Sequence, residues 1–85
     1  MFWVYMLQCN DGTFYVGSTN DMERRLHHHN HSKAGAHYTK IRRPVTLIYQ
    51  EQHDSYAAVR RREGELKRLT RQQKMELIRS TQPVK

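Results

Sequence analysis

The chain has 85 residues, and its 15 Lys and Arg against 8 Asp and Glu leave a formal charge of +7 with histidine neutral. A single small domain of this size buries only about 60–65% of its unfolded surface, which excludes a deep enclosed pocket for a bulky organic cofactor. One cysteine, Cys9, excludes an internal disulfide framework and a zinc site built on paired cysteines, and the basic balance points to a polyanionic partner, nucleic acid or anionic lipid.

Phe2 to Leu7 and Thr13 to Gly17 are short apolar and aromatic runs, and Cys9-Asn10-Asp11-Gly12 between them has turn chemistry, so the chain opens with a β-hairpin. A two-residue Asp11-Gly12 loop pairs Gln8 with Tyr15 and sends Tyr5 and Tyr15 to opposite faces. A three-residue Asn10-Asp11-Gly12 loop, with Gly12 in the left-handed region, pairs Leu7 with Tyr15 and Tyr5 with Gly17, and both tyrosines share a face. The residues suit either loop. Asn20 with Glu23 three positions on is a variant capping box, opening a helix to about His29 on which Met22, Arg25, Leu26 and His29 form one stripe and Arg24 points away. The polar stretch His31 to Arg43 reads as a loop ending at Pro44, and Val45 to Tyr49 as a third strand. Asp54 or Ser55 caps a second helix through about Leu69, with Val59, Glu63, Leu66 and Lys67 on one side and Glu65 on the solvent side. Thr70-Arg71-Gln72-Gln73 is a capping box for a last helix ending near Ser80. The order β-β-α-β-α-α places the chain in the α+β class, with a small three-stranded antiparallel or mixed sheet flanked by helices. One domain covers residues 1–80, and a frayed tail 81–85.

Two charged residues interrupt these inward stripes. Arg25 and Glu63 each stand on the apolar side of a different helix, and burying a charge is costly unless it is paired or lines a cleft. One explanation is an Arg25–Glu63 salt bridge. The other is a shared cleft in which a guanidinium meets phosphate and a carboxylate holds a divalent cation.

Tyr5 in Trp3-Val4-Tyr5, Tyr15-Val16-Gly17 ten residues later, Arg25 in a capped helix and Glu63 in a later one resemble the motifs of the GIY-YIG nuclease superfamily, most closely its small stand-alone bacterial members. Gly17-Ser18-Thr19-Asn20-Asp21, His29-Asn30, Tyr38-Thr39, Arg42-Arg43-Pro44 and Glu63-x-x-Leu66-Lys67 look like that subgroup too, and the resemblance runs from about Val4 to Ile78. Trp3 departs from the Gly of the motif's name. The resemblance implies metal-dependent hydrolysis of a phosphodiester. Tyr5 would be the general base, Tyr15 an orienter of water or phosphate, Arg25 the charge on the phosphate, and Glu63 the one protein ligand of a Mg²⁺ or Mn²⁺ ion. His29 would stand where some members carry a His or Tyr after the arginine. A free tyrosine has a pKa of about 10, so Tyr5 needs positive charge nearby to act as a base, from Arg25, the metal or a protonated His29. Tyr5, Tyr15, Arg25 and Glu63 are therefore expected to converge on one face of the sheet.

Lys33 to Arg43 and Arg60 to Arg71 form two basic blocks. As nucleic-acid-binding residues, Gly17 would let a phosphate or backbone approach closely, Tyr38 would stack on a base or sugar, and Lys40, Arg42, Arg43, Arg61, Arg62 and Lys67 would neutralise phosphates. The histidines of His27-His28-His29 and His31 read as a solvated helix end rather than a zinc site, and Cys9 as a small packing residue. No apolar run approaches the roughly 18 residues of a membrane span, and no secretory signal pattern opens the chain, so a soluble cytoplasmic protein is expected. The leading function is a metal-dependent endonuclease on DNA, structure-selective or acting on single strands. The alternatives are a binding module with weak or no catalysis and a nuclease component that needs a protein partner for specificity.

Overall fold

A computed structural model describes residues 1–31 and 36–81. Strands β1 (Phe2–Gln8), β2 (Phe14–Thr19) and β3 (Thr46–His53) form one antiparallel sheet in the order β2-β1-β3, and four helices follow the chain as α1 (Met22–His31), α2 (His37–Lys40), α3 (Tyr56–Lys67) and α4 (Arg71–Thr81). The expected tail, beyond position 81, and Lys33 and Gly35 of the loop lie outside the described residues.

The hairpin adopts the three-residue loop. Leu7 pairs with Tyr15 and Tyr5 with Gly17. Gly12 takes φ 84°, a left-handed conformation that a residue with a Cβ rarely adopts. The Cys9 amide donates to the Thr13 carbonyl at 2.8 Å and the Gly12 amide to the Cys9 carbonyl at 2.9 Å. Asp11 accepts from the Thr13 hydroxyl at 2.6 Å and from Arg42 at 2.9 Å, which ties the turn to the segment before β3.

Because β1 is central, its alternating side chains build two cores. Val4 and Met6, with Val16 and Tyr49, pack under Val59 and Leu66 of α3, joined by Leu77 and Ile78 of α4. Tyr5, Leu7, Cys9 and Val45 face the other way, against Met22 and Leu26 of α1 and Tyr38 of α2. Cys9, beside the turn, is buried among apolar neighbours.

Four local expectations are revised. Asp21, not Asn20, caps α1, its carboxylate accepting from the Arg24 amide at 3.1 Å, and the helix runs on to His31. The stretch before Pro44 contains a short helix, α2, in place of an uninterrupted loop. β3 continues past Tyr49 to His53, because pairing with the whole of β1 carries polar residues that composition alone assigns to a turn. It also carries an irregularity between Met6 and Leu7 that lets both Ile48 and Tyr49 pack on the α3 side. Finally, α3 ends at Lys67, two residues short of Leu69. Ser55 caps α3 through the Ala58 amide at 3.1 Å, and the Thr70–Gln73 box forms reciprocally at 2.9 and 3.1 Å.

Candidate active site

Tyr5 is fully buried at the middle of the central strand, and its hydroxyl lies 2.7 Å from His29 Nε2 and 3.4 Å from Arg25 Nε. Opposite it, Gly17 leaves the gap that this hydroxyl occupies: a Cβ there would sit 2.5 Å from Tyr5 Oη and 3.1 Å from Tyr15 Cε2. The missing side chain thus makes room for the protein's own tyrosine rather than first of all for a phosphate. Tyr15 closes the cluster, its ring centroid 6.4 Å from Tyr5 and 5.1 Å from His29, and it too exchanges a hydrogen bond with Arg25.

The protons in this cluster follow from counting donors. Thr39 Oγ1 is 2.9 Å from the Ala36 carbonyl oxygen and 2.7 Å from His29 Nδ1. Two oxygens that close need a proton between them, so the one Thr39 proton goes to Ala36 and the hydroxyl oxygen accepts from His29 Nδ1–H. His29 Nε2 is then bare and accepts the Tyr5 O–H. Arg25 Nε–H donates to Tyr5 Oη, and the second lone pair of that oxygen stays free for a further donor. Burial, then the charges of Arg25, Arg43 and His28, pushes His29 down to about 4, so it is neutral near pH 7 and drops out of the three sources of positive charge considered for Tyr5. Burial also outweighs the bond and charge of Arg25 at Tyr5 and pushes that phenol up to about 12. Tyr5 is a proton donor to His29 at rest, not a phenolate.

Glu63 arrives from the other layer, which corrects the expectation of a single shared face. Its carboxylate accepts from Ser18 Oγ at 2.7 Å and from Lys67 Nζ at 2.9 Å, with Arg60 Nε at 3.8 Å. Ser18 follows Gly17 on the edge strand, and the pleat sends consecutive residues to opposite faces. The Tyr5 cluster and the Glu63 carboxylate therefore stand on either side of β2, near enough for Glu63's charge to raise the Tyr5 pKa. Burial raises the Glu63 carboxyl, but the bonds from Lys67 and Ser18 and the charge of Arg60 outweigh it and hold it below the usual carboxylate range.

An ionised carboxylate beside a hydroxyl suits a hard divalent cation that keeps most of its waters and takes substrate oxygens as further ligands, in place of the Lys67 and Arg60 cations that neutralise Glu63 here. Among the described residues no group of three or more His, Cys, Asp or Glu is placed to hold a metal.

The basic residues divide by what already holds them. Arg43 donates to the His29 carbonyl at 2.5 Å and the His28 carbonyl at 3.1 Å, satisfying carbonyls at the end of α1. Arg42 is bound to Asp11 and lies 3.9 Å over the Tyr38 ring, which also packs against Tyr15 at 6.0 Å, so Tyr38 presents less free face than a stacking residue needs. Arg62 reaches Glu51 through Nε and Nη2 at about 3.0 Å and Glu65 at 3.1 Å, and Lys67 pairs with Glu63. Arg61 is exposed, and Lys40 is half-buried. Sequence reasoning gave no individual role to Thr39 or Ser18 and counted Arg60 only within a basic block. The alternation of Gly17 with Ser18 was a usable signal for Ser18, whereas Thr39 depends on a bond to a backbone carbonyl that no spacing encodes.

The chain belongs to the GIY-YIG family, a family of nucleases: the model of the GIY-YIG catalytic domain matches residues 1–76. Its relatives include a UPF0213 protein of Syntrophus aciditrophicus, 47% identical over 91% of this chain and 88% of the relative, and one of Staphylococcus epidermidis, 49% identical over 89% and 92%. The solution NMR structure of a UPF0213 protein from Bacillus halodurans matches with a TM-score of 0.62 at 38% identity, over 95% of this chain and 86% of that one. No helix among the described residues is long and apolar enough to cross a membrane.

Proposed function

We propose that this chain is a metal-dependent endonuclease that hydrolyses phosphodiester bonds in DNA. The observation that carries the proposal is the Tyr5–His29–Thr39 chain of hydrogen bonds beside Arg25, across one strand from an ionised Glu63. Nothing in core packing calls for three buried polar groups with every proton assigned.

Arg25 meets the scissile phosphate and offsets the charge that grows on its oxygens. Tyr5 works without first becoming a phenolate. Arg25, in turning from Tyr5 to the phosphate, opens the buried hydroxyl to water. As that water attacks phosphorus and the P–O bond to the leaving strand end breaks, Tyr5 Oη takes the water's proton and passes its own to His29 Nε2, and the leaving oxygen is protonated from solvent. A phosphate beside Arg25 lowers the local positive potential and so makes His29 a readier acceptor than its resting pKa near 4 implies. Thr39 holds Nδ1–H throughout, so the acceptor nitrogen always faces Tyr5. Tyr15 orients the water or a phosphate oxygen. Glu63 would hold a Mg²⁺ or Mn²⁺ ion, exchanging its bonds to Lys67 and Arg60 for the cation, and such an ion supplies Lewis-acid stabilisation of phosphoryl oxygens.

The test is incubation of the purified protein with branched, single-stranded and duplex DNA and with RNA, in Mg²⁺ or Mn²⁺ and in chelator. Cleavage of DNA that stops in chelator and in Tyr5→Phe is expected. Binding without cleavage of any substrate would favour the inert binding module instead, and cleavage that survives chelation would remove the role of Glu63.

A further inference from the structure

A groove of about 230 Å³ opens beside Glu63 on the α3 side, lined by Phe2, Ser18, Thr19, Asn20, Tyr56 and Val59. No residue of the proton chain reaches it. Its inner end is Ser18, whose hydroxyl donates to Glu63, and its outer end is Tyr56, which is 59% exposed although it is among the largest apolar side chains of the protein. Tyr56, Val59, Arg60 and Glu63 fall at i, i+3, i+4 and i+7 of α3, so the ring and the carboxylate share one side of the helix about 10 Å apart along its axis.

Tyr56 is held rather than loose. The Phe2 ring meets it edge-on at 5.9 Å, and Arg60 donates to its hydroxyl at 3.1 Å. The same arginine lies 3.8 Å from Glu63, so one guanidinium bridges the aromatic ring and the carboxylate. Arg61 next to it is exposed. The groove thus combines an anchored, largely exposed ring, the Arg60 guanidinium on one side of it at 5.6 Å from the ring centroid, and the Asn20 amide at its rim, able to donate and accept at a base edge.

We infer that this groove is a nucleotide subsite: an unpaired base of the DNA strand stacks on Tyr56, and Arg60 meets the phosphate between that base and the one at Glu63. The inference rests on the nuclease reading and deepens it by naming the substrate class. In a duplex both faces of each base are covered by neighbours, so only an unstacked nucleotide can offer a face to Tyr56. DNA with an unpaired nucleotide next to the scissile bond is therefore preferred over continuous duplex.

The full chain, in chelator so that nothing is cut, is titrated onto a single-stranded oligodeoxynucleotide carrying one 2-aminopurine, onto the same strand with that base removed, and onto the matched duplex. Stacking on Tyr56 should change the 2-aminopurine fluorescence. Tyr56→Ala should weaken single-strand binding by about 5- to 150-fold, the range of one base–aromatic contact, while Tyr56→Trp retains it. Duplex binding should hardly change. On the strand lacking the base, the wild-type protein should fall to the level of Tyr56→Ala. Equal losses on single strand and duplex, or a Tyr56→Ala effect that persists without the base, would overturn the subsite. A protein that cuts no substrate yet shows the Tyr56-dependent preference would refute the catalytic reading and leave the subsite standing. A protein that cuts DNA but binds single strands equally well with Ala at position 56 would do the reverse.

Discussion

The two faces of one sheet have been given opposite tasks. Toward α3 and α4 the core is nearly all hydrocarbon, and the charged groups of that layer stand at its rim, paired as Arg62 with Glu51 and Glu65 and as Lys67 with Glu63. Toward α1 and α2 the core contains Tyr5, His29 and Thr39, all fully buried and hydrogen-bonded to one another. The first face makes the fold stable and, Glu63 apart, tolerates exchange of its rim charges. The second confines polar atoms where each has one partner and one proton assignment, so a change of one atom there alters chemistry before it alters stability.

The sharpest break of this contrast is Tyr5→Phe. Loss of the proton path should lower single-turnover cleavage by about 10²- to 10⁴-fold, while urea unfolding falls by only about 1–3 kcal/mol, since His29 Nε2 is left without its donor. A rate within tenfold of wild type would remove Tyr5 from the chemistry. Leu66→Ala on the opposite face should invert the pattern, with about 2–5 kcal/mol lost in urea unfolding and the residual folded protein cleaving at a near-normal rate.

A pH series separates the faces further. His29 has a folded pKa of about 4 against 6.5, so the unfolded chain binds its proton first. Its contribution is present in full above about pH 6.5 and is lost as pH falls toward 4, to a total on the order of 3 kcal/mol. Tyr5 gives the mirror effect, with stability lost as pH rises from 10 toward about 12. Denaturant midpoints of wild type and His29→Gln should therefore converge as pH falls from 6.5 to 4; parallel curves would mean that His29 is not held neutral.

Thr39→Val, close in shape to the native side chain, should cost about 1–3 kcal/mol by leaving Nδ1–H unpaired. It should also let the imidazole proton move to Nε2, visible in the ¹⁵N shifts of His29, with cleavage reduced and restored by Thr39→Ser. Unchanged shifts would show that something other than Thr39 fixes the tautomer. The smallest effect belongs to the rim. Glu65→Ala removes one of three partners of Arg62, leaving Glu51 and Tyr49, and should shift stability by no more than about 1 kcal/mol with cleavage unchanged, unlike Glu63→Ala.

The elements were legible in the sequence because their signals are local. Capping residues at Ser55 and Thr70, the inward stripe of α1 and the apolar runs of the hairpin each depend on a few neighbouring residues. The membership of the site was legible too, since Tyr5, Tyr15, Arg25 and His29 lie together and Glu63 stands across one strand from them. What the sequence withheld was the side from which each group arrives and its protonation. Glu63 was expected beside the tyrosines, but α3 lies on the far face, and its reach past the edge strand depends on helix placement rather than on periodicity. A protonated His29 was one of three sources considered for positive charge at Tyr5, yet its burial, set by the elements that meet over it, holds it neutral. The arginines were misjudged in the same way: a charge run reads alike whether its guanidinium groups meet solvent or, as with Arg43 and Arg62, cap a helix or bind a carboxylate.

The turn at Asn10-Asp11-Gly12 governs chemistry it never touches. The pleat has only two phases, so the turn's length acts as an odd-or-even key for β2: with three residues Gly17 lies under the Tyr5 hydroxyl and Ser18 faces Glu63, and with two those assignments are exchanged. A strand slipped by one residue would keep most of its hydrogen bonds while thrusting the Ser18 side chain into the Tyr5 gap and withdrawing the Glu63 anchor. Length in this turn is thus restricted more tightly than composition, and a one-residue change there would dismantle the Tyr5–Gly17 and Ser18–Glu63 contacts from several residues away.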